Sequence, residues 1–280
     1  MTSIITGSTG FVGRHLTPLL PGAVCLTRAD FTQSDNVLRT KCSSATSFIH
    51  LAGRAHKQGE TADMLPLYHV ENVELTRRCL QLAKSCGATH FIFLSTIGVH
   101  GSKTIDQAFS EHSPLLPHNA YAETKIQAEQ EVIDFCTKNT MAWTILRPPL
   151  VYGDNAPGNI GMLQKLLRTG MPLPFGAFTN RRSLISVENL CSVILHCLNN
   201  EKSHNQIYVL GDGIDRSTTE LLRLLAQRAQ LPARLIPVPA FLLKIAAALT
   251  GQNKRLAPLW EDLRVDNSKS VTQLGWIPVN

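Results

Sequence analysis

Two groups of residues in this chain could do chemistry together. One is Gly7-Ser8-Thr9-Gly10-Phe11-Val12-Gly13. The other is the pair Tyr121 and Lys125. A phenol ordinarily has a pKa of about 10, so it needs a nearby cation to exchange a proton at neutral pH. The four-residue spacing places both side chains on one helix face. There Lys125 lowers the phenol pKa and reaches a cofactor ribose, and the positive ring of an oxidised nicotinamide adds to the shift. Ser95-Thr96 follows the apolar run Phe91 to Leu94, at a strand end where sites of parallel sheets gather. A Thr96 hydroxyl there binds a substrate oxygen beside Tyr121; capping a turn is its other reading. Thr96, Tyr121 and Lys125 together read as a proton-transfer site for an alcohol or ketone, with a nicotinamide as hydride carrier.

The glycine group reads as the cradle for that carrier. Gly7 allows a tight turn, Gly10 lets backbone approach a phosphate, and Gly13 permits close helix–strand packing. The helix N-terminus behind them offers N–H groups and partial positive charge to a pyrophosphate. The second strand ends in Leu26-Thr27-Arg28, where NAD-preferring folds carry an acidic residue. A guanidinium suits a 2′-phosphate, so NADP(H) is favoured over NAD(H), which stays open. The segment from Ala23 to Ser47 is too short for a full second helix and third strand, and a displaced, solvated Arg28 is the alternative. Asp30 and Phe31 fall beside the adenine, unless Asp30 serves the turn. His50-Leu51-Ala52-Gly53 ends another strand with small residues that admit the nicotinamide ribose; His50 itself reads as structural.

The elements that must position these residues alternate. Ser3 to Thr6, Ala23 to Thr27, Ser47 to Leu51, Phe91 to Leu94 and Trp143 to Leu146 read as strands. Phe11 to Leu20, Leu65 to Ser85 and Tyr121 to Lys138 read as helices, the first strained by Pro18. The fold class is therefore α/β, a Rossmann-type doubly wound parallel sheet with a smaller C-terminal substrate-binding lobe. Residues 1–150 form the NAD(P)-binding domain and 151–280 mainly the lobe, with 183–198 returning to the sheet. Ser217 to Ala229 opens with a capping-box pattern before an apolar helix.

Composition narrows the function class. The chain of 280 residues is 44% hydrophobic and 17% charged, with a formal net charge of +6. That is ordinary for a globular protein. No dense Lys/Arg tract points to nucleic acid, and the longest apolar stretch, near Ala240 to Leu249, is too short to span a bilayer. Nucleic-acid and membrane partners are not expected, nor is a metal. The seven cysteines are scattered without a C-x-x-C pair and read as reduced thiols, and no signal-peptide pattern opens the chain. A cytoplasmic location follows.

The ordered set of motifs resembles the extended short-chain dehydrogenases of the nucleotide-sugar epimerase/dehydratase group. The matching pieces are GSTGFVG at 7, HLAGRAH at 50, VENVELT at 70, FLSTIGVHG at 93, YAETK at 121, RPPLVYG at 147, NRRSLISVENL at 180 and LGW at 274. The resemblance implies Thr96, Tyr121 and Lys125 as the catalytic trio. It implies Phe11, Val12, Leu51, Ala52, Gly53 and Asn72 around the cofactor, and Pro148 and Pro149 at the nicotinamide pocket. For the substrate it implies Asn159 and Arg182 at a sugar diphosphate, Arg255 as a second arginine, and Phe175, within Leu173 to Gly176, at the nucleobase. Dehydratases of the group carry Asp-Glu directly after the catalytic Thr, whereas Ile97-Gly98 follows Thr96 here. Water elimination is thus not expected. Reduction of a 4-keto sugar and C4 epimerisation remain, and the wording of the motifs is most similar to bacterial enzymes of surface polysaccharide acting on UDP-N-acetyl-hexosamines. The leading expectation is reduction of a UDP-4-keto-6-deoxy-N-acetylhexosamine. A UDP-sugar 4-epimerase with tightly bound NAD is the first alternative, and a non-catalytic NAD(P) sensor the second. The resemblance also implies a homodimer through Leu65 to Ser85 and Tyr121 to Lys138. The sequence departs from the group in its shortened region after the second strand and in ending five residues after Gly275, which leaves a looser lobe or an altered pocket as an expectation.

Overall fold

The computed structural model describes residues 2–43, 45–55 and 64–279. Its strands are β1 (Thr2–Thr6), β2 (Val24–Leu26), β3 (Ala45–His50), β4 (His90–Leu94), β5 (Ala142–Arg147), β6 (Leu150–Tyr152), β7 (Arg182–Ser186), β8 (Gln206–Val209) and β9 (Asp215–Arg216). Six of them form a parallel sheet in the order β2-β1-β3-β4-β5-β8. The remaining three form a small sheet, β6-β7-β9. The helices are α1 (Phe11–Leu16), α2 (Asp35–Lys41), α3 (Leu65–Tyr68), α4 (Leu75–Ser85), α5 (Ala120–Lys138), α6 (Gly158–Arg168), α7 (Val187–Leu198), α8 (Thr218–Arg228) and α9 (Ala240–Leu249), followed by shorter turns.

The large sheet forms because its strands are apolar on both faces. Alternate side chains of a strand point to opposite sides. Ile4, Phe48, Phe91 and Ile145 enter one core with Leu80 and Val132 of α4 and α5. Their neighbours Ile5, Ile49, Ile92 and Leu146 enter a second core with Leu190 and Ile194 of α7. Such two-sided burial excludes a solvent-facing sheet and requires helix layers on both sides. The chain's last described turn belongs to this second core. Leu274 and Trp276 are buried there, Trp276 Nε1 donates to Ser192 Oγ at 3.3 Å, and Asn189 exchanges hydrogen bonds with the backbone of Val279. A third core joins α6 and α8 through Ile160, Leu163, Leu222 and Leu225.

Two local departures from the sequence pattern bear on the site. The helix expected over Phe11 to Leu20 keeps α geometry only to Leu16 and tightens to a 3-10 turn over Thr17–Leu19, because Pro18 donates no hydrogen bond. The helix expected over Leu65 to Ser85 is continuous but widens to a π-helical segment over His69–Glu74. As the short spacing implied, α2 is followed at once by β3, and β2 is left as the sheet edge. A full dinucleotide-binding half would carry one more strand outside β2.

Two histidines are sealed inside the sheet. His50 lies between Thr6 Oγ1 at 2.6 Å and Thr76 Oγ1 at 3.0 Å, and His90 lies against Thr144 Oγ1 at 2.8 Å. Burial drives both imidazoles down to a pKa of about 3. Both are therefore neutral at pH 7, and His50 is structural, as read from the sequence. A base whose folded pKa lies below its unfolded value of about 6.5 is protonated first in the unfolded chain, so stability falls as pH drops from 6.5 toward 3. Two such groups give a slope of roughly 2–3 kcal/mol per pH unit. Urea midpoints measured across pH 4–6.5 should fall steeply, and His90→Asn should roughly halve the slope.

Candidate active site

The carboxyl ends of β1, β3 and β4 lie side by side, and each continues into a loop of the site. After β1, Gly7 adopts φ +75°. A Cβ on Gly7 would stand 2.7 Å from Ala52 N and 2.8 Å from Leu51 C, so the loops after β1 and β3 touch backbone to backbone. A Cβ on Gly13 would stand 2.1 Å from the carbonyl oxygen of Gly7, which explains why α1 starts so close to the strand it leaves. Gly10 is the N-cap of α1 and no side chain caps it. This cradle lies where β1 has β2 on one side and β3 on the other, the switch point at which such sheets take up ligands. Its backbone donors and lack of side chains fit a dinucleotide pyrophosphate. Phe11 and Val12 are half-buried behind it; Phe11 packs edge-on against His15, with ring centroids 5.3 Å apart.

Thr96 and Tyr121 meet across the end of β4. Thr96 caps the 3-10 turn Ile97–Val99, its Oγ1 accepting from Gly98 N at 3.1 Å, so the turn-cap reading and the proximity to Tyr121 both hold. That bond leaves the Thr96 hydroxyl proton free to be donated. Asn119 caps α5 through Oδ1 and Ala122 N at 2.8 Å, and thereby fixes Tyr121 in the first turn. Burial pushes the Tyr121 phenol up to about 12, against a lowering hydrogen bond from Thr96. Lys125 is buried one turn on, donates to Leu94 O at 2.7 Å, and sits 4.0 Å from the Phe93 ring centroid. Burial brings its ammonium down to about 7, with Glu129 acting in the opposite direction. Lys125 is not among the groups that act on the phenol in the chain alone. Desolvation dominates both groups, and the lysine is directed at the strand end.

Behind this pair is a polar network that the sequence reading did not assemble. Arg147, at the end of β5, forms a two-pronged ion pair with Glu129 of α5, with Nε–Oε1 at 3.0 Å and Nη2–Oε2 at 2.5 Å. Ser95 donates to the same carboxylate. Arg147 Nη1 donates to His100 Nε2 at 3.0 Å, and His100 Nδ1 to Pro114 O at 3.1 Å. Ser95, His100, Glu129 and Arg147 are all buried. Two signals were available: Glu129 follows Lys125 by one helical turn, and Arg147 opens the RPPLVYG motif. Tyr68 was also missed; its ring lies 6.2 Å from that of Tyr121.

The remaining cofactor residues divide. Leu51 and Ala52 are half-buried beside the cradle, and Gly53 is exposed. Asn72 is committed to neighbours: Oδ1 accepts from Arg54 N at 2.7 Å and Nδ2 donates to Thr124 Oγ1 at 3.0 Å. It ties the loop after β3 to α5, with the π-helical segment carrying it there. Pro148 and Pro149 are buried after β5, and Pro148 O accepts from Ile97 N at 2.9 Å. Arg28 is 87% exposed and pairs with Glu71 at 2.7 Å, while Arg54 approaches the same carboxylate at 3.4 Å. Asp30 takes the turn role. It accepts from Thr27 N and Oγ1, each at 2.7 Å, and pairs with Lys41, which holds its carboxyl down at about 2. Phe31 packs against the core under the Arg78 guanidinium. The shortened chain packs this turn against α4 through Phe31 and Arg78.

In the lobe, Arg182 begins β7, half-buried. Its Nη1 donates to Pro258 O at 3.2 Å and Glu261 O at 3.1 Å, and burial lowers its pKa. Asn159 stands in the first turn of α6, half-buried. Phe175 packs on the third core, 5.9 Å from Phe178, and its carbonyl accepts from Thr219 Oγ1. Arg255 is exposed in a short helix, Asn253–Leu256.

A doubly wound sheet with a glycine cradle and a Thr-Tyr-Lys cluster, half-buried at Thr96 and Tyr121 and buried at Lys125, defines a nicotinamide-dependent enzyme of the extended short-chain dehydrogenase type. The chain belongs to the NAD dependent epimerase/dehydratase family, whose model matches residues 3–211. It is 32% identical to a UDP-glucose 4-epimerase of Vibrio cholerae, over 98% of this chain and 90% of that one. It is 26% identical to a GDP-6-deoxy-D-mannose reductase of Pseudomonas aeruginosa, over 84% and 83%. Its fold matches that of a UDP-glucuronic acid 4-epimerase from Bacillus cereus in complex with NAD, with a TM-score of 0.76 at 20% identity, over 100% and 94% of the two chains. Members of this family and these relatives are epimerases, dehydratases and reductases of nucleotide sugars.

Removing one partner of a buried ion pair leaves an uncompensated charge, which costs about 3–5 kcal/mol. Arg147→Met should therefore destabilise the protein by about that amount in urea titrations. Adding Glu129→Leu to it should restore much of the loss, because both charges are then gone.

Proposed function

We propose that this protein is an NAD(P)H-dependent reductase acting at C4 of a UDP-linked 4-keto-6-deoxy-N-acetylhexosamine. The observation that carries the reading is the half-buried Tyr121 phenol hydrogen-bonded with Thr96, at the sheet end shared with the glycine cradle. A bound reduced nicotinamide supplies the hydride for C4. Tyr121, kept protonated by its surroundings, gives a proton to the C4 oxygen. Thr96, with Gly98 N–H already on its oxygen, donates to the developing alkoxide. Lys125 anchors the strand end and offers its ammonium to a ribose hydroxyl. Phe175, Asn159 and Arg182 hold the UDP moiety, with Arg182 taking the diphosphate through charge-assisted bonds. Arg255 is assigned a secondary place there.

Two features support reduction over a cycle that retains its cofactor. A neutral phenol is a proton donor. The sheet also ends at β2 with Arg28 in solvent, which leaves the adenosine end open for cofactor exchange at each turnover. Arg28 stands at the surface beside Glu71, a placement that favours the 2′-phosphate of NADPH. A C4 epimerase is the second reading, supported by the relatedness to the Vibrio enzyme across nearly its whole length. A homodimer through α4 and α5, and the division at residue 150 into cofactor and substrate parts, complete the proposal.

Mass spectrometry of reactions with UDP-4-keto sugars and NADPH should show a product two mass units heavier, with one cofactor oxidised per sugar. Isomerisation of UDP-GlcNAc with stoichiometric NAD retained in the protein would instead establish the epimerase. Tyr121→Phe should lower turnover by about 10²–10⁴-fold, with NADPH binding by fluorescence unchanged.

The pH profile tests Lys125 separately. Its ammonium is charged below about 7 and neutral above. The value of kcat/KM should accordingly fall as pH rises through 7, while Tyr121 contributes no limb below pH 10. Lys125→Arg, whose cation does not deprotonate, should remove that falling limb.

A further inference from the structure

Helix α9 turns its largest side chains outward. Phe241, Leu242, Ile245 and Leu249 are 60%, 47%, 54% and 84% exposed, while Ala247 is the helix's buried residue. At ~100° per residue the four exposed side chains fall within an arc of about 100°, with Ala247 on the opposite side. A helix seated on a globular lobe ordinarily shows the reverse. Ile236, 49% exposed on the approach to α9, stands near the same patch in sequence. The segment that leads into α9 is tied to the candidate nucleobase wall. Leu173 N donates to Arg234 O, Ile236 N to Leu173 O and Gly176 N to Ile236 O, at 2.8, 2.8 and 2.9 Å.

Charge around this helix is one-sided. From Leu221 to Trp260 the chain holds no aspartate or glutamate, yet it carries Arg223, Arg228, Arg234, Lys244, Lys254 and Arg255. Arg228 is neutralised by Glu188 of α7. Lys244 lies next to the apolar arc, 6.0 Å from the Trp260 ring centroid. Apolar side chains beside Lys244, in a stretch of chain with cations and no acid of its own, are complementary to an anionic interface with a hydrocarbon layer beneath it.

We propose that α9 and its flanking cations form a docking surface for an anionic phospholipid bilayer, with the helix lying in the plane of the interface beside the candidate substrate wall. The helix has ten residues and crosses nothing; among the described residues no helix is long and apolar enough to span a membrane. The expectation of no membrane partner rested on span length, which does not bear on a helix that lies flat. A second copy of the chain is disfavoured as occupant, because a self-complementary contact would set these cations against each other. The apolar residues also project from a single helix, so they offer an interface a shallow layer to enter.

The test is sedimentation of the full chain with extruded vesicles. The protein should pellet with mixed phosphatidylcholine–phosphatidylglycerol vesicles, pellet weakly with pure phosphatidylcholine, and be released from the mixed vesicles by high salt. Phe241→Ser with Ile245→Ser should lower partitioning about tenfold or more, and Lys244→Glu should weaken it at low salt. These positions are exposed, so thermal unfolding should not move; if the double variant does unfold early, Lys244→Glu alone decides. Wild-type protein remaining in the supernatant with anionic vesicles would overturn the proposal, as would variants that bind like wild type. Self-association abolished by the double variant, without vesicle binding, would assign the patch to a second copy instead. None of these readings depends on turnover, so they stand or fall apart from the proposed reaction.

Discussion

The pairing of Arg147 with Glu129 is the interaction on which the site's geometry rests. It joins the end of β5 to the middle of α5, and through Ser95 and His100 it also holds the turn after β4. Lys125 and Tyr121 lie about one and about two turns before Glu129 on the same helix, so the network sets how far α5 stands from the strand ends. Taking both charges out of water is costly, and an apolar replacement of similar volume is often as stable. Arg147, with its fixed planar fork, accepts few alternative arrangements of its carboxylate partner. An apolar contact would let α5 slide; this one specifies a register.

Burial at the site has an electrostatic consequence. The desolvation that seals Tyr121 and Lys125 raises the phenol pKa and lowers that of the ammonium, so each side chain moves toward its neutral form. The pair is a reservoir of transferable protons whose charge is decided by what binds next to it. A nicotinamide ring, a ribose hydroxyl and a ketone oxygen would each alter that balance. The glycines let the loops after β1 and β3 and the start of α1 pack backbone to backbone, because added Cβ atoms there would strike backbone.

The shortened region after β2 shows how a local deletion propagates. With no further strand outside β2, the turn at Asp30 folds onto Lys41 and α4, and Phe31 joins the core. These residues close the edge of the sheet at β2. Arg28 remains at the surface beside Glu71.

Much of this was legible in the residues. The apolar runs at Ser3, Ser47, Phe91 and Trp143 specify buried strands because two-residue periodicity with both faces apolar has few other solutions, and the glycine spacing locates the cradle because only glycine permits those approaches. Thr96, Tyr121 and Lys125 were legible from their places relative to those strands. The strands β6 to β9 were not, since they are short and lie among Gly and Pro residues whose partners are remote in sequence. Nor were the hydrogen-bond partners of Asn72 and Arg147, or the pairing of Asp30 with Lys41. Each depends on which groups from distant segments arrive within hydrogen-bonding distance. The same holds for the Tyr121 and Lys125 protonation states, because spacing along a helix brings two groups near one another but says nothing of how much water the rest of the chain removes. Local pattern thus determined the sheet and the candidate groups gathered at its carboxyl end. Tertiary packing alone decided their partners, their charge and which apolar face stayed in solvent, because desolvation and long-range hydrogen bonding are properties of the assembled chain.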